Sequence, residues 1–318
     1  ALELMSKKVP EAEALVQQGL RKQDGTEMAM SHVRVLIELE RYKEATEQLQ
    51  AITRKDAKLA DAWLVLGSLQ FEQGQDIEAE ASLARYVSLA SKAPTDTSTR
   101  GLNQAQTRRA ALLARQGKMS EARELIHQIP ASNADEQRSR LLAEVQLLRE
   151  HRQWQAAFDL LAGNSADSAD LVYEQAMLAE KLNKLDDMEK LLRKVIAQNP
   201  SYYNAYNALG FSLADRNIRL PEAKQLIVKA LTFAPDDPFI TDSLGWVEFR
   251  MGNLGAALSY LQKAYKDRAD AEIAAHLGEV LWKMNRQDEA IKVWREGLNT
   301  APTNETLQET LQRLKPAL

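Results

Sequence analysis

The chain has 318 residues, of which 45% are apolar and 27% are charged, and its formal net charge is −4. This acidic balance argues against a general nucleic-acid binder, since such proteins normally present a basic surface. The sequence contains no cysteine, which excludes disulfides, thiolate catalysis and cysteine-ligated zinc, and no apolar run approaches the roughly 20 residues that a membrane-spanning helix needs.

Apolar residues recur at the i, i+3, i+4 and i+7 spacing of amphipathic helices, and these helices come in pairs. Between two of the pairs, the stretch from Ser91 to Gly101 is rich in turn-forming residues and predicts an irregular loop. We predict one array over residues 1–318. Its parts are a partial hairpin helix at 10–22, two repeats over 28–92, the irregular loop at 91–101, two repeats over 102–162, four repeats over 169–300 and a capping helix at 303–314.

A small residue on the first helix of each pair sets the period. Where two helices cross, their backbones approach only if the side chains between them are small. Six of the seven steps between these positions lie within one residue of 34, and the step across the irregular loop is 43. The first-helix positions are Val33, Gly67, Ala110, Ala143, Ala176, Gly210, Gly245 and Gly278; the second-helix positions are Ala45, Ala79, Ala122, Ala156, Met188, Ala223, Ala257 and Ala290.

Glycine and proline mark the ends of several helices. Glycine follows first helices, where the chain must turn and a left-handed backbone is favoured. Proline follows second helices, where it blocks further propagation. The residues concerned are Gly74, Gly117 and Gly252, and Pro200, Pro235 and Pro302.

Glycine at the helix crossing, alanine on the second helix and proline after it resemble the tetratricopeptide repeat (TPR) family over nearly the whole chain. The resemblance implies an all-α, right-handed superhelical solenoid of about eight helical hairpins, with a partial N-terminal helix and a C-terminal capping helix. It also implies a non-catalytic scaffold or adaptor whose concave groove binds a protein or peptide.

In this family the first helices line the groove, and five positions of each repeat point into it. Aromatic and amide side chains at these positions suit a peptide or helix ligand. We expect Trp246 and Phe211 to be exposed there, whereas packing between helices is the favoured alternative for Phe249 and Trp282. The predicted groove residues are Tyr173, Met177, Asn204, Asn207, Phe211, Phe239, Asp242, Trp246, Phe249, Arg250, Glu272, Glu279, Trp282 and Lys283.

Some relatives clamp a C-terminal carboxylate with paired Lys and Asn side chains. Asn204 and Asn207 are present here, but Asp215 and Asp242 stand where such a clamp would need positive charge. We therefore do not expect a chaperone-tail clamp.

Nothing in the sequence predicts catalysis, a cofactor or a metal site. The four histidines lie on different repeats, and the one suggestive pair, His276 and Glu279, is better read as a packing or solvent pair than as metal ligands. No glycine-rich phosphate loop, nucleophile elbow or paired-acid motif is present. An enzyme with accessory repeats would need a non-repeat catalytic segment beyond the visible ends.

Three stretches of the C-terminal third, residues 207–216, 242–247 and 274–282, are similar to a group of proteobacterial TPR lipoproteins. The best-understood type is an adaptor that binds a carboxyl-terminal processing protease and delivers cell-wall hydrolases to it. This resemblance implies a periplasmic location at the outer membrane, with any lipid anchor upstream of Ala1. The alternative is a self-associating structural scaffold of an envelope or cytoplasmic complex.

Overall fold

The computed structural model describes residues 25–92, 96–164 and 168–316, excepting the side chains of 96–98. Every regular element in these ranges is an α-helix, so the predicted all-α fold is confirmed; the helix predicted at 10–22 lies outside them. The seventeen described helices are α1 Gly25–Glu38, α2 Tyr42–Lys55, α3 Ala60–Glu72, α4 Asp76–Ala90, α5 Asp96–Arg115, α6 Met119–His127, α7 Ala134–Glu150, α8 Trp154–Ala162, α9 Ala169–Lys181, α10 Leu185–Gln198, α11 Tyr203–Asp215, α12 Leu220–Phe233, α13 Pro238–Arg250, α14 Leu254–Asp267, α15 Ala271–Lys283, α16 Gln287–Thr300 and α17 Glu305–Leu314.

The chain divides into two compact units, Ala1–Gln153 and Trp154–Leu318, here called unit 1 and unit 2. The described helices α1 to α7 belong to unit 1, and α8 to α17 belong to unit 2. The boundary therefore falls inside the fourth predicted hairpin. The regular period shows no sign of this division, and the single array over 1–318 stays a prediction.

The turn inside each helix pair uses one residue with a left-handed backbone. Gly74, Gly117 and Gly252 have φ of 71°, 78° and 84°, as predicted. Five further turns have the same backbone without glycine, with φ between 55° and 61°. The turn geometry thus recurs with the repeat even where the sequence carries no glycine signal. These five residues are Glu40, Arg152, Asn183, Asn217 and Asn285.

The small residues on the first helices permit close helix crossings. A Cβ added at Gly67 would lie 2.7 Å from Leu83 Cγ, and one at Gly278 would lie 2.1 Å from Trp294 Nε1. Contacts below 3.0 Å are not tolerated by real Cβ atoms. The second helix therefore packs directly against the backbone of the first, as the period predicted.

The fourth repeat corrects two predicted positions. Ala143 and Ala156 are only half-buried, whereas Val145 and Ala157 are fully packed. Val145 stands as far before the left-handed residue Arg152 as each other first-helix position stands before its own turn. Residue size suggested Ala143, but the turn fixes which side of the helix faces the core.

The irregular loop predicted at 91–101 is shorter than expected, because α5 already begins at Asp96. Gly101 lies within this helix and is buried, and a Cβ there would stand 2.0 Å from the hydroxyl of Tyr86. The glycine therefore serves a close helix contact and not a turn. Composition alone does not separate these two uses of glycine.

In unit 2 the apolar core lies between the first and second helices of each pair. Met188, Leu192, Leu209 and Trp294 are among its fully buried side chains. Helix α13 is buried on every face from Ile240 to Glu248, and α15 from Ile273 to Leu281, so the accessible side chains of these two first helices lie at their ends.

Candidate functional site

The first helices of the four pairs within unit 2 (α9, α11, α13 and α15) form what we call the inner surface. Helix α11 packs on α13, α13 packs on α15, and α15 packs on the final helix α17. Lys181 at the end of α9 reaches Glu305 on α17, with 3.5 Å between Nζ and Oε2. All predicted groove residues lie on these four first helices.

At the centre of the inner surface, two ionisable side chains from neighbouring repeats meet. The Nδ1 atom of His276 lies 2.9 Å and 3.0 Å from the two carboxylate oxygens of Asp242, and both side chains are buried. Burial disfavours the charged imidazole, but the negative charges of Asp242, Glu272 and Glu279 outweigh it. The pKa of His276 is therefore raised above its ordinary value of 6.5.

Trp246, which we expected to be exposed, is only 4% exposed, and that prediction is wrong. Its ring stacks on His276 at 4.3 Å between centroids and lies 5.2 Å from Phe249. The guanidinium of Arg250 stands 5.7 Å from the same indole. Side chains from its own helix and the next repeat thus occupy the space that a ligand would have filled. Phe211, 5.8 Å from His276, remains half-buried.

Glu279 and Asp242 were also predicted to face the groove, yet both are buried. Glu279 accepts two hydrogen bonds from Arg313 on α17, at 2.7 Å and 2.5 Å, so the final helix covers this position. His276 and Glu279 thus have separate partners, Asp242 and Arg313. Within the residues that the structure describes, no three His, Cys, Asp or Glu side chains are placed to hold a metal ion.

The remaining predicted residues are accessible to a ligand to different degrees. Asn204 and Lys283 are exposed, and Phe239 is 38% exposed with Arg268 4.9 Å from its ring. The half-buried Trp282 lies 5.6 Å from Trp294 and packs against the core, which favours the packing interpretation. The other half-buried members are Tyr173, Met177, Asn207, Phe211, Phe249, Arg250 and Glu272.

Two of these side chains carry unusual polar groups. Burial, reinforced by Tyr202, raises the pKa of Tyr173 to about 12, so its phenol stays a neutral hydrogen-bond donor. The Oδ1 atom of Asn207 is buried without a hydrogen-bond partner. A buried amide oxygen left unpaired costs free energy, and a ligand or water can recover it.

Carboxyl groups line the inner surface between α9 and α15. Burial raises the pKa of Glu180 and of Glu272. Glu272 and Asp215 add to the upward shift of Glu180, and Asp242 and Asp270 add to that of Glu272. Glu180 is nonetheless accessible to water, so it lies in a recess and not in the core. We did not single out Glu180 from the sequence, although it occupies the same repeat position as Phe249 and Trp282. Its position in the repeat would have been enough to predict Glu180 as a residue of this surface.

Comparison with known families supports the repeat type. The tetratricopeptide repeat family matches residues 30–94 and 243–305, one stretch in each unit. The TPR repeat-containing protein PA4667 of Pseudomonas aeruginosa is 41% identical over 179 residues, which make up 55% of this chain. The match spans 30% of that relative's own length. Together with the helix pairs described above, these matches support tetratricopeptide repeats in the chain.

Two solved structures share the fold at low sequence identity. A tetratricopeptide repeat protein from Parabacteroides merdae has a TM-score of 0.51 and 16% identity, covering 90% of this chain and 97% of its own. The Cut9–Hcn1 hetero-tetramer of APC/C has a TM-score of 0.51 and 14% identity, covering 96% of this chain and 58% of the matched chain. At these identities the similarity establishes the fold alone. In the described part of the chain, no helix has the length and apolar character to span a membrane.

Proposed function

We propose that the chain is a non-catalytic interaction scaffold that binds a segment of another protein on the inner surface of unit 2. The observation that supports this proposal is a feature shared by the four first helices of unit 2. The four first helices each carry exposed or half-buried aromatic, amide or charged side chains, and on α13 and α15 these lie at the helix ends. Such surfaces bind extended or helical segments by combining aromatic contact area with directed polar groups.

The electrostatics of the inner surface favour a segment that carries basic side chains. The raised pKa values of Glu180 and Glu272 mean that burial and neighbouring carboxylates disfavour their negative charges. A Lys or Arg side chain between them would offset both effects. The half-buried rings of Phe211 and Phe249 would contact the apolar part of the same segment.

The partner that we propose is a carboxyl-terminal processing protease, to which the scaffold would bring cell-wall hydrolases in the periplasm at the outer membrane. Support for this finer role comes from the similarity of residues 207–216, 242–247 and 274–282 to the lipoprotein adaptors. A cytoplasmic location is the alternative, and fractionation of cells expressing the natural gene distinguishes the two.

A matched pair of phenylalanines tests the inner surface. Phe239 on α13 is 38% exposed and Phe233 at the end of α12 is 41% exposed, and each lies near one cationic side chain. We expect Phe239→Ala to weaken binding of the purified protease by about fivefold or more, as loss of an aromatic contact does. Phe233→Ala is expected to leave binding unchanged. If the wild type, Phe239→Ala and Phe233→Ala all bound the protease with equal affinity, the inner surface would not be the binding site.

Self-association remains the second candidate because apolar side chains are exposed on the second helices. Val228, Phe233 and Tyr260 are all at least one-third exposed. Light scattering of the wild type and of Phe233→Ala distinguishes the two functions. A monomer in both cases argues against self-association, whereas an oligomer that Phe233→Ala dissociates would favour it.

A further inference from the structure

The final helix α17 contacts the inner surface of unit 2 at both of its ends. Glu305, its first residue, meets Lys181 at the end of α9. Arg313, in its last turn, donates two hydrogen bonds to Glu279 on α15. Helices α9 and α15 belong to repeats that are three apart along the chain. Helix α17 therefore bridges across the inner surface as well as extending the row of first helices.

Arg313 also brings a positive charge to the carboxyl groups of this surface. Its hydrogen bonds with Glu279 chiefly raise its pKa, and Asp215 at the end of α11 adds to the shift. The same Asp215 adds to the raised pKa of Glu180, for which burial is the main cause. Arg313 thus lies close to the carboxyl groups that we expect a basic residue of a partner to contact.

Few side chains of α17 are committed to the core. Of its ten residues, Leu307 and Thr310 are buried, whereas α15 beneath it buries most of its side chains. The ion pair of Lys181 and Glu305 is exposed, with side chains that are 56% and 76% accessible, so it contributes little to stability. A short helix held by so little buried surface opens more readily than the helices on which it packs.

Release of α17 would uncover a site of defined chemistry. Glu279, whose side chain is only 9% exposed, would lose both hydrogen bonds and present an unpaired carboxylate. The apolar position that Leu307 fills, next to Gly297, would open as well. An amphipathic helix that carries a leucine and, six residues later, an arginine would satisfy both positions.

We propose that α17 is a displaceable cover that holds the place of a partner's helix on the inner surface. The partner segment is an amphipathic helix with leucine and arginine at the spacing of Leu307 and Arg313, and it binds by replacing α17. Such a cover regulates the proposed function, on which this inference rests, because the site is closed in the free protein. The affinity for a partner is then reduced by the fraction of molecules in which α17 is closed.

The alternative is a permanent cap, which the last repeat of any helical array needs. A permanent cap stays in place when a competing helix is added, whereas a displaceable cover leaves. A peptide with the sequence of α17 distinguishes the two, because it offers the site an occupant of the same chemistry.

The probe is a synthetic peptide of residues 303–316, blocked at both ends, and its matched control carries glutamine in place of its arginine. Binding to the full chain is measured by fluorescence anisotropy of the labelled peptide. Amide hydrogen exchange, followed by NMR in the isotope-labelled chain, reports whether the chain's own α17 has left the site.

We expect the wild type to take up little peptide at concentrations up to about 1 mM, because a tethered helix has an effective concentration in the millimolar range. Arg313→Gln leaves the carboxylate of Glu279 without its partner. This variant should bind the peptide at least tenfold more tightly than the wild type and lose the protection of its own α17 amides as the peptide binds. The glutamine peptide should bind the variant at least tenfold more weakly.

A second variant keeps the test decisive if Arg313→Gln fails to fold. Glu305→Lys turns the attraction to Lys181 into repulsion, and it should bind the peptide about threefold more tightly than the wild type does. Glu309→Lys makes the same charge change at an exposed position of α17 and should bind the peptide as the wild type does.

The inference is overturned if the folded variants take up the peptide no better than the wild type, or if the glutamine peptide binds as well as the arginine peptide. It is equally overturned if the α17 amides stay protected while the peptide is bound, since α17 is then a permanent cap. The proposed function is decided separately, by the protease affinities of the wild type and Phe239→Ala, so either proposal can fail while the other stands.

Discussion

The imidazole of His276 lies 2.9 Å from the carboxylate of Asp242, and this contact joins the first helices of two successive repeats. The indole of Trp246 stacks on the imidazole ring of His276, at 4.3 Å between centroids. All three side chains are buried. The centre of the inner surface is therefore held by a buried ion pair with an aromatic cover, and ligand contacts are left to the surrounding residues.

The raised pKa of His276 makes stability depend on pH. A group whose pKa is higher in the folded than in the unfolded chain stabilises the fold in its protonated form. This contribution is complete below the ordinary pKa of 6.5 and is lost as the pH rises through the folded value. We expect the free energy of unfolding to fall above about pH 6.5, by at most about 1.4 kcal/mol per pH unit for one proton.

Asp242→Asn supplies the control for that dependence. Without the carboxylate, burial becomes the dominant effect on His276, so the slope should disappear or reverse between about pH 6 and 8. Denaturant unfolding at several pH values, with NMR titration of the His276 ring proton, measures both quantities. The same slope in wild type and variant would show that this pair is not its cause.

The crossing at Gly278 should not tolerate even one added methyl group. Its Cβ would meet the indole of Trp294 at 2.1 Å to 2.6 Å, and the rigid ring cannot move away without displacing the helix pair. We expect Gly278→Ala to destabilise unit 2 by about 1–3 kcal/mol, the usual cost of overpacking.

Gly255 offers the matched control for Gly278. It lies in helix α14 with open space around its Cα, so an alanine there meets nothing within 4 Å. We expect Gly255→Ala to stabilise by about 0.5–1 kcal/mol through helix propensity. Thermal unfolding followed by circular dichroism compares the two, and a Gly278→Ala variant as stable as wild type would contradict the close crossing.

Arg313 should anchor the final helix. It is the partner of the buried Glu279 carboxylate, and Arg313→Met would leave that carboxylate without its paired hydrogen bonds. Because Arg313 itself is half-exposed, we expect a loss of about 1–2 kcal/mol. Hydrogen exchange of the α17 amides should accelerate accordingly.

Arg286 is the control for this substitution, since its partner Glu289 is exposed and lies three residues away on the chain. Arg286→Met should destabilise the fold much less than Arg313→Met does, because an exposed surface pair contributes little to stability. Equal effects of the two substitutions would mean that burial of Glu279 adds nothing to the ion pair.

Sequence reasoning predicted the fold because the repeat is local. Helix periodicity, the small residue at each crossing and the turn that follows all lie within about 34 residues. The errors arose where one of these signals was read alone. Ala143 was chosen by size, although the left-handed turn at Arg152 makes Val145 the core position.

The site was predicted less well because exposure depends on neighbouring repeats. Register placed Trp246 and Glu279 on the correct surface, but His276 and Arg313 cover them, and each of these lies about one repeat away in sequence. Side-chain pairing across repeats has no periodic signal.

We expect the inner surface of unit 2 to contact another protein. Photo-crosslinking in the cell of origin tests it directly, with the crosslinker placed at the exposed inner position Asn204 or Lys283, or at the exposed second-helix position Gln225 or Gln262. We expect adducts with a second polypeptide from the inner positions and none from Gln225 or Gln262. Adducts from the second-helix positions alone, or from neither pair, would contradict it.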